Sequence, residues 1–214
     1  MAFSSTRLGT IATHWKASDG SGEAELLLER DILHFPASWS PDGRLLAFYE
    51  FHPENQSDVW VVSIDDGTTS PVTTTEFAER SPMFSPNGNW IAYQSDRSGR
   101  FEVYVQPYPG TGGRRRISND GGTEPLWARD GKEIFFRNED KMMVVAIDTS
   151  EGFQHSAPRA LFSGSFEPDA NVPNYDVHPD GDRFVMIRSP EMQALEIHVV
   201  VNWFEELRRL APSE

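Results

Sequence analysis

The sequence contains no cysteine among its 214 residues. This excludes a disulfide framework, a thiolate metal site and a cysteine nucleophile. Basic residues are also few, because 19 lysines and arginines stand against 33 acidic residues and give a formal net charge of −14. Such a surface repels phosphate backbones, so we expect no nucleic-acid partner.

Long hydrophobic runs and familiar catalytic motifs are missing as well. No stretch approaches the roughly 18 consecutive apolar residues of a transmembrane helix, so we expect no membrane span. Residues 1–10 lack the apolar region of a signal peptide. There is no Gly-x-Ser-x-Gly motif, and the six histidines lack the spacing of metal ligands. We therefore assign no catalytic residue and no metal ligand, and we lean toward a protein that is not an enzyme.

What the sequence does have is one ten-residue phrase that occurs four times. Each copy contains an Asp-Gly or Asn-Gly turn followed by an apolar and aromatic run, and the four copies are 39–48, 84–93, 127–136 and 177–186. The turn glycines are spaced 45, 43 and 50 residues apart. A period of about 40–50 residues with several short strands per repeat is typical of a β-propeller. The repeat predicts an all-β fold of four-stranded antiparallel blades, with about four to five blade equivalents in this chain.

The repeat also predicts how the chain is divided. We expect one propeller domain over 1–214, made of a partial blade at 1–33, blades at 34–78, 79–122 and 123–172, a partial blade at 173–201, and a short capping α-helix at 202–211. The opening segment is predicted to hold two outer strands, at 10–15 and 25–28, without inner strands before them. Closure of the ring within one chain, closure between two chains of a homo-oligomer, and closure by further blades of a longer parent chain all fit this count.

The repeated phrase, together with the Ser-x-Arg-x-Gly loop within 94–105, resembles the WD-repeat-like propeller repeats of the TolB family. The likeness extends from Thr10 to Val201. The segment 201–207 resembles the C-terminus of TolB-like propellers fused to bacterial Ser/Thr protein kinases. The resemblance implies a sensor-like module, and an extracytoplasmic or periplasmic location if the chain is part of a longer TolB-like protein. The sequence alone leaves the compartment open.

Acidic side chains recur at equivalent positions of the repeats. Repetition of this kind favours hydrogen bonds from side chain to backbone over a catalytic site. The set in the turns is Asp42, Asn87, Asp130 and Asp180, and a second set, which precedes the third strand of each repeat, is Asp58, Glu102 and Glu196. The segment 19–23 resembles a calcium-binding loop but lacks the full series of ligands, so we expect a hairpin turn there. No cofactor is expected, and a divalent cation such as calcium is the weaker alternative.

The loops that lead into the first strand of each repeat are expected to open onto the central channel of the propeller. Polar side chains from several repeats meet there in our interpretation, and the candidate ligand-binding residues are His34, Arg80, Glu124 and Asn174. The leading hypothesis is a non-enzymatic binding or sensor module that holds a protein or small-molecule ligand at the channel mouth. The alternative is a hydrolase or lyase whose acidic and histidine side chains assemble in the channel, with or without a divalent metal ion.

Overall fold

Five antiparallel sheets follow one another along the chain. The computed structural model describes residues 1–6, 9, 11–53, 56–110, 112–167, 172–179 and 181–187. Within these residues there are eighteen strands and no helix, so no helix of the length and apolar character needed to cross a membrane is found there. The predicted all-β propeller of antiparallel blades is confirmed.

Each sheet is formed by strands that are consecutive in sequence. The opening sheet contains β1 (Ala2–Ser5), β2 (Ala12–Trp15) and β3 (Glu25–Glu29). Blade 1 contains β4 (His34–Trp39), β5 (Leu45–His52), β6 (Gln56–Ser63) and β7 (Thr69–Pro71). Blade 2 contains β8 (Glu79–Phe84), β9 (Trp90–Ser95), β10 (Glu102–Pro107) and β11 (Arg115–Arg116).

The remaining strands form a third blade and a last, two-stranded sheet. Blade 3 contains β12 (Thr123–Trp127), β13 (Glu133–Asn138), β14 (Lys141–Asp148), β15 (Gln154–His155) and β16 (Arg159–Ser163). Strands β15 and β16 pair with different halves of β14. The last sheet contains β17 (Tyr175–Val177) and β18 (Phe184–Met186).

The hydrophobic core lies between neighbouring sheets, because successive side chains of a strand point to opposite faces. In β5, Leu46 and Phe48 pack toward Leu28 of the opening sheet, whereas Ala47 and Tyr49 pack against blade 2. Similar clusters join blade 2 to blade 3 and blade 3 to the last sheet. The sheets are therefore packed face to face in chain order, as the blades of a propeller are.

The two ends of these sheets carry different connections. At one end, which we call the turn end, the repeated Asp-Gly or Asn-Gly turn joins the first strand of each blade to the second. At the other end, which we call the mouth end, the first strand begins, the second strand ends and the third strand begins. In blade 2 the mouth end is marked by Glu79, Ser95 and Glu102. The candidate ligand-binding residues all belong to the mouth end.

The repeated turn is stabilised by its serine and its aspartate together. The Ser40 hydroxyl donates to the Asp42 carboxylate at 2.6 Å and accepts from the Leu45 amide at 2.9 Å. The same carboxylate accepts from the Arg44 amide at 3.1 Å. These bonds lower the pKa of Asp42, and the hydrogen bond from the Ser40 hydroxyl has the largest effect. Gly43 occupies the left-handed region with φ 71°, which explains why the turn requires glycine.

Two further copies of the turn show that the acidic position serves the backbone. The Asn87 side chain accepts from the Ser85 hydroxyl and the Asn89 amide at 2.8 and 3.0 Å. In the third copy Asp130 accepts from the Lys132 amide at 3.0 Å. The interpretation of these residues as turn makers therefore agrees with the contacts, while Asp180 lies outside the described residues.

The opening sheet differs from the prediction of two outer strands. A third strand, β1, pairs with β2 in antiparallel register from Ala2 opposite Trp15 to Ser5 opposite Ala12. Its short, mostly small and polar sequence carries no strand signal. Phe3 stacks on His14 across the pair, with ring centroids 5.9 Å apart. The expectation of an opening segment without a preceding strand was therefore wrong.

Several predictions concern parts of the chain that the structure does not describe. The capping helix at 202–211, a third strand for the last repeat, and the kinase-fusion likeness of 201–207 lie outside the described residues. The boundaries of the individual blades and the way in which the ring closes stay predictions.

Candidate functional site

A buried carboxylate at the start of the third strand organises the mouth end of blade 2. Glu102 is 1% exposed and accepts hydrogen bonds from the Ser118 hydroxyl and, at 3.1 Å, from the Gly121 amide. The Ser118 hydroxyl also accepts from the Val103 amide at 2.7 Å. The exposed Arg100 places its Nε 3.2 Å from the same carboxylate. Glu102 thus ties the third strand to the connection that leads into blade 3.

Blade 1 repeats this arrangement with a shorter side chain. The Asp58 carboxylate accepts from the Thr75 amide at 3.1 Å and from the Thr73 hydroxyl at 3.4 Å. The Thr73 hydroxyl in turn accepts from the Val59 amide at 2.8 Å. Asp58 and Glu102 therefore fix the loop geometry as the sequence indicated, and Glu196 lies outside the described residues.

A second buried carboxylate, from the start of β8 in blade 2, lies beside this polar cluster of blade 1. Glu79 is fully buried, and its two oxygens lie 2.7 and 2.9 Å from the Thr75 hydroxyl. The Arg114 Nη1 atom is 3.8 Å away. Burial raises the pKa of Glu79, and the neighbouring charge of Asp58 raises this pKa further. Burial likewise raises the pKa of Asp58.

These raised pKa values predict a pH dependence of stability. Because the pKa of Glu79 and of Asp58 is higher in the folded chain than in the unfolded chain, the folded state binds protons more tightly. The stabilising contribution is fully present below the ordinary carboxyl pKa and is lost as the pH rises through the raised value. Glu79→Gln removes one charge and keeps an acceptor for Thr75. We expect this variant to lose less stability than the wild type between mildly acidic and neutral pH.

The measurement is a series of urea unfolding curves over that pH range. Glu25→Gln is the matched control, because Glu25 is an exposed glutamate in β3 of the opening sheet. The control should keep the wild-type slope of unfolding free energy against pH. An unchanged slope in Glu79→Gln would show that Glu79 does not carry the effect.

His34 lies at the start of β4 and is enclosed by the protein. Its side chain has no exposed surface, and its ring meets the Phe48 ring edge-on at a centroid distance of 6.1 Å. Nδ1 lies 2.8 Å from the Ile32 carbonyl oxygen, which can only accept, so this nitrogen carries the proton. No hydrogen-bond partner for Nε2 is found among the described residues.

Arg80 lies at the start of β8 and is only partly buried. Its guanidinium carbon is 4.7 Å from the Phe51 ring centroid and 5.6 Å from the Phe101 ring centroid. Its Nε donates to the Ser57 hydroxyl at 3.1 Å. Rings from blade 1 and blade 2 therefore hold this cation at the junction of the two blades, in the geometry of a cation–π contact.

Glu124 and Asn174 are brought into direct contact. Glu124 is fully buried, and its carboxylate accepts from the backbone amide of Asn174 at 2.9 Å. Its backbone carbonyl accepts from the Tyr175 hydroxyl at 2.8 Å. The Glu124 amide donates to the Gln94 side chain at 2.9 Å. With φ 55°, Glu124 lies in the left-handed region at an irregularity in the register of β12. This conformation turns its amide and its carboxylate toward the two neighbouring sheets.

The four candidate residues therefore form two groups. Glu124 and Asn174 touch, and Arg80 is joined to them because it pairs across the sheet with Gln94, which bonds Glu124. His34 lies at the equivalent end of blade 1, enclosed beside the opening sheet, where its carbonyl accepts from Ser4 at 3.4 Å.

Sequence reasoning missed two features of the mouth end. The Arg97 guanidinium carbon lies 5.3 Å from the Phe77 ring and 5.9 Å from the Tyr104 ring. It belongs to the Ser-x-Arg-x-Gly loop, which was noted only as a mark of resemblance. The ring nearest Arg97 is that of Phe77, which is distant in sequence, so no local signal indicated this contact.

The other missed feature is a histidine between two acids. His52 Nε2 is 3.0 Å from Glu50 Oε1 and 3.9 Å from Asp58 Oδ2. Arg30 Nε is 3.2 Å from the second Glu50 oxygen. The signal for this group was Glu50 itself, a charged residue within the apolar run of β5, where isolated charges are rarely buried.

The described ranges contain no group of three or more histidine, aspartate and glutamate side chains arranged to hold a metal ion. In the segment 19–23, the Asp19 carboxylate accepts from the Ser21 amide at 2.8 Å and from its hydroxyl at 2.7 Å. These bonds, the hydroxyl bond first, lower the pKa of Asp19. The same carboxylate oxygen accepts both bonds, as in a hairpin turn.

A cleft of about 700 Å³ lies at the opposite, turn end, between blades 2 and 3. Its lining includes Trp90, Trp127, Asp130 and Asp148. Trp90 packs against Phe153 with ring centroids 4.8 Å apart. This cleft is the alternative to the mouth end as a ligand-binding site.

Stacked antiparallel blades with buried polar clamps at one end define the chain as a β-propeller protein. More narrowly, the chain belongs to the TolB beta propeller domain family, whose model matches residues 15–210. The fold is similar to the structure of a protein described as a TolB from Agrobacterium tumefaciens, with a TM-score of 0.68 and 24% identity over 88% of this chain and 70% of that chain.

Two curated relatives set the scale of the similarity. An uncharacterized protein of Agrobacterium fabrum, Atu1656, is 23% identical in an alignment of 178 positions that covers 78% of this chain and 59% of that protein. An uncharacterized peptidase of Bacillus subtilis, YuxL, is 25% identical in an alignment of 178 positions that covers 75% of this chain and 25% of that protein. The chain thus spans about three fifths of the first relative and a quarter of the second.

Proposed function

We propose that this chain is a non-enzymatic binding or sensor module that holds a protein or small-molecule ligand at the mouth end. One observation carries the proposal: residues of three neighbouring sheets are joined there in series. Arg80 pairs with Gln94, Gln94 bonds the Glu124 amide, and the Glu124 carboxylate bonds the Asn174 amide. We call these four residues, Arg80, Gln94, Glu124 and Asn174, the rim. Because the rim is hydrogen-bonded across sheets, it is preorganised, and a ligand can contact several sheets without ordering them first.

The four candidate residues take two roles in this proposal. Arg80 and Asn174 are partly buried and keep surface at which a ligand can bind. His34 and Glu124 are fully buried and act as positioning residues. Glu124 holds Asn174, and His34 packs the start of β4 against Phe48.

Binding is favoured over catalysis because the buried carboxylates are already engaged. Asp58, Glu102 and Glu124 each accept a hydrogen bond from a backbone amide, and Glu79 accepts one from a hydroxyl. A general acid or base must reach a substrate with its proton-bearing atom. Carboxylates that close loops and join blades support a structural role at the rim of a binding site.

A second candidate function is hydrolysis, and the group around His52 favours it. A histidine 3.0 Å from Glu50 and 3.9 Å from Asp58 has the partners that a general base requires. The similarity to a peptidase is consistent with this candidate. Glu50 is, however, also bound by Arg30 at 3.2 Å, which draws its charge away from the histidine.

The test is a ligand-observed NMR screen of a fragment library, run in parallel with assays of chromogenic ester and peptide hydrolysis. The variant is Arg80→Gln, which removes the partly buried cation of the mouth end. The matched control is Arg44→Gln, because Arg44 is an exposed arginine at the turn end, paired with Asp65 at 2.6 Å.

We expect fragments that bind the wild type and Arg44→Gln to be lost or weakened in Arg80→Gln, and we expect no turnover. Hits that are indifferent to Arg80→Gln would contradict binding at this rim. Turnover that His52→Gln abolishes would replace the binding function by the hydrolytic one.

A further inference from the structure

We propose that the ligand of the mouth end presents an oxyanion, a carboxylate or a phosphate, to Arg80 and Arg97 at the junction of blades 1 and 2. The inference rests on the proposed function and narrows it to a chemical class of ligand. It is carried by the placement of the two arginines, by their lack of acidic partners and by the way aromatic rings hold them.

Both arginines belong to one junction, which is centred on the connection between β7 and β8. Ala78 forms a bridge with Ser57 of blade 1, and Arg80 Nε donates to the Ser57 hydroxyl at 3.1 Å. The Ala78 amide donates to the Asp96 carboxylate at 2.9 Å, and Arg97 follows directly. The ring under Arg97 is that of Phe77, the residue before Ala78. The same short segment therefore adjoins both cations.

Arg80 and Arg97 are partly buried arginines of the mouth end that lack an acidic partner. Arg137 of blade 3 also has none among the described residues, but it is buried and donates to the Glu139 carbonyl oxygen at 2.9 Å. Arginines with a carboxylate oxygen within 4 Å are Arg30 with Glu50, Arg100 with Glu102 and Asp120, and Arg114 with Glu79. For Arg80 and Arg97, no carboxylate lies within that distance in the part of the chain that the structure describes. The acids next to them in sequence are engaged elsewhere: Asp96 accepts from the Ala78 amide, and Glu79 accepts from the Thr75 hydroxyl.

Aromatic rings lie beside both guanidinium groups. Arg80 lies against Phe51 and Phe101, and Arg97 against Phe77 and Tyr104. A guanidinium that stacks on a ring keeps its N–H bonds in its own plane, where they match the two oxygens of a carboxylate or phosphate. Stacking also restricts both side chains before any ligand arrives, which reduces the entropy lost on binding.

The chain has a net charge of −14, so its surface is acidic overall. Two arginines without acidic partners are an exception to this surface. At physiological ionic strength the screening length is about 8 Å, so charges near the junction dominate the field that a bound ligand experiences. An anion that reaches the junction therefore meets two cations held on rings, whereas the general surface repels it. This combination favours selectivity for anions that fit over non-specific anion binding.

The test is isothermal titration calorimetry with citrate and with inorganic phosphate as probes. We expect binding of at least one probe to the wild type and to Arg44→Gln, and about ten-fold or greater loss of affinity in Arg80→Gln and Arg97→Gln. Arg80→Lys keeps the charge and loses the planar fork, so its affinity should fall between those of the wild type and Arg80→Gln. Circular dichroism melting of each variant separates a binding defect from unfolding.

The two probes distinguish the sources of the oxyanion. Binding of citrate alone indicates a carboxylate ligand, and binding of phosphate alone indicates a phosphate ligand. No heat with either probe, or equal affinity in folded Arg80→Gln, would overturn the inference. Uncharged fragments that still depend on Arg80 in the NMR screen would then leave the proposed binding function intact, so the two failures are separable.

Discussion

Glu102→Ala is expected to lower the free energy of unfolding by about 3 kcal/mol, because one buried donor and one partly buried donor lose their acceptor. The buried Ser118 hydroxyl and the partly buried Gly121 amide both donate to this carboxylate. A buried donor left without a partner costs about 1–3 kcal/mol. Urea unfolding of the wild type and the variant gives the difference directly.

The control for Glu102→Ala is Asp120→Asn, which removes the charge of the other acidic partner of Arg100 and suits the left-handed backbone of this residue, at φ 62°. The Asp120 side chain is 87% exposed and bonds Arg100 at 2.8 Å. An exposed ion pair contributes about 0–1 kcal/mol, so this variant should unfold almost as the wild type does. Equal and small losses in both variants would mean that Glu102 is not a structural clamp.

Phe48→Ala should have a still larger effect, about 4 kcal/mol, because it opens a cavity between the opening sheet and blade 1. The Phe48 ring is completely buried and packs with Leu28, Leu46 and Val62. It also supports the edge of His34, so the start of β4 loses its packing as well. The measurement is again urea unfolding.

Leu26→Ala is the control for Phe48→Ala. Leu26 lies in β3 of the same opening sheet, but 48% of its surface is exposed. Its truncation should cost less than about 1 kcal/mol, because little apolar surface leaves water on folding. A Phe48→Ala variant as stable as this control would contradict the packing of the opening sheet on blade 1.

The turns were predictable from sequence because their chemistry is local. Asp42 and its counterparts act within three residues of themselves, on amides that any Asp-Gly turn brings near. The repeat also predicted the propeller, since a fixed period with short strands leaves few other architectures. The strand β1 could not be predicted, because Ala2-Phe3-Ser4-Ser5 is held by its pairing with β2 and not by its own pattern.

The site was predictable only in outline. Counting residues from the turn indicated the mouth end of each blade, but it could not show which way a side chain points there. The register irregularities near Pro36 and Glu124 change that direction, so His34 and Glu124 are enclosed instead of facing solvent. The stacking of Arg97 on Phe77 joins residues from two blades, and no pattern in a single repeat reveals it.

The central claim, that the mouth end is the binding site, is tested most directly by amide-resolved NMR of the ¹⁵N-labelled chain with its strongest-binding fragment. We expect the shifted signals to be those of the rim and the junction, including the amides of Ala78, Arg97, Glu124 and Asn174. Shifts confined to the cleft at the turn end, such as the indole signals of Trp90 and Trp127, would contradict it.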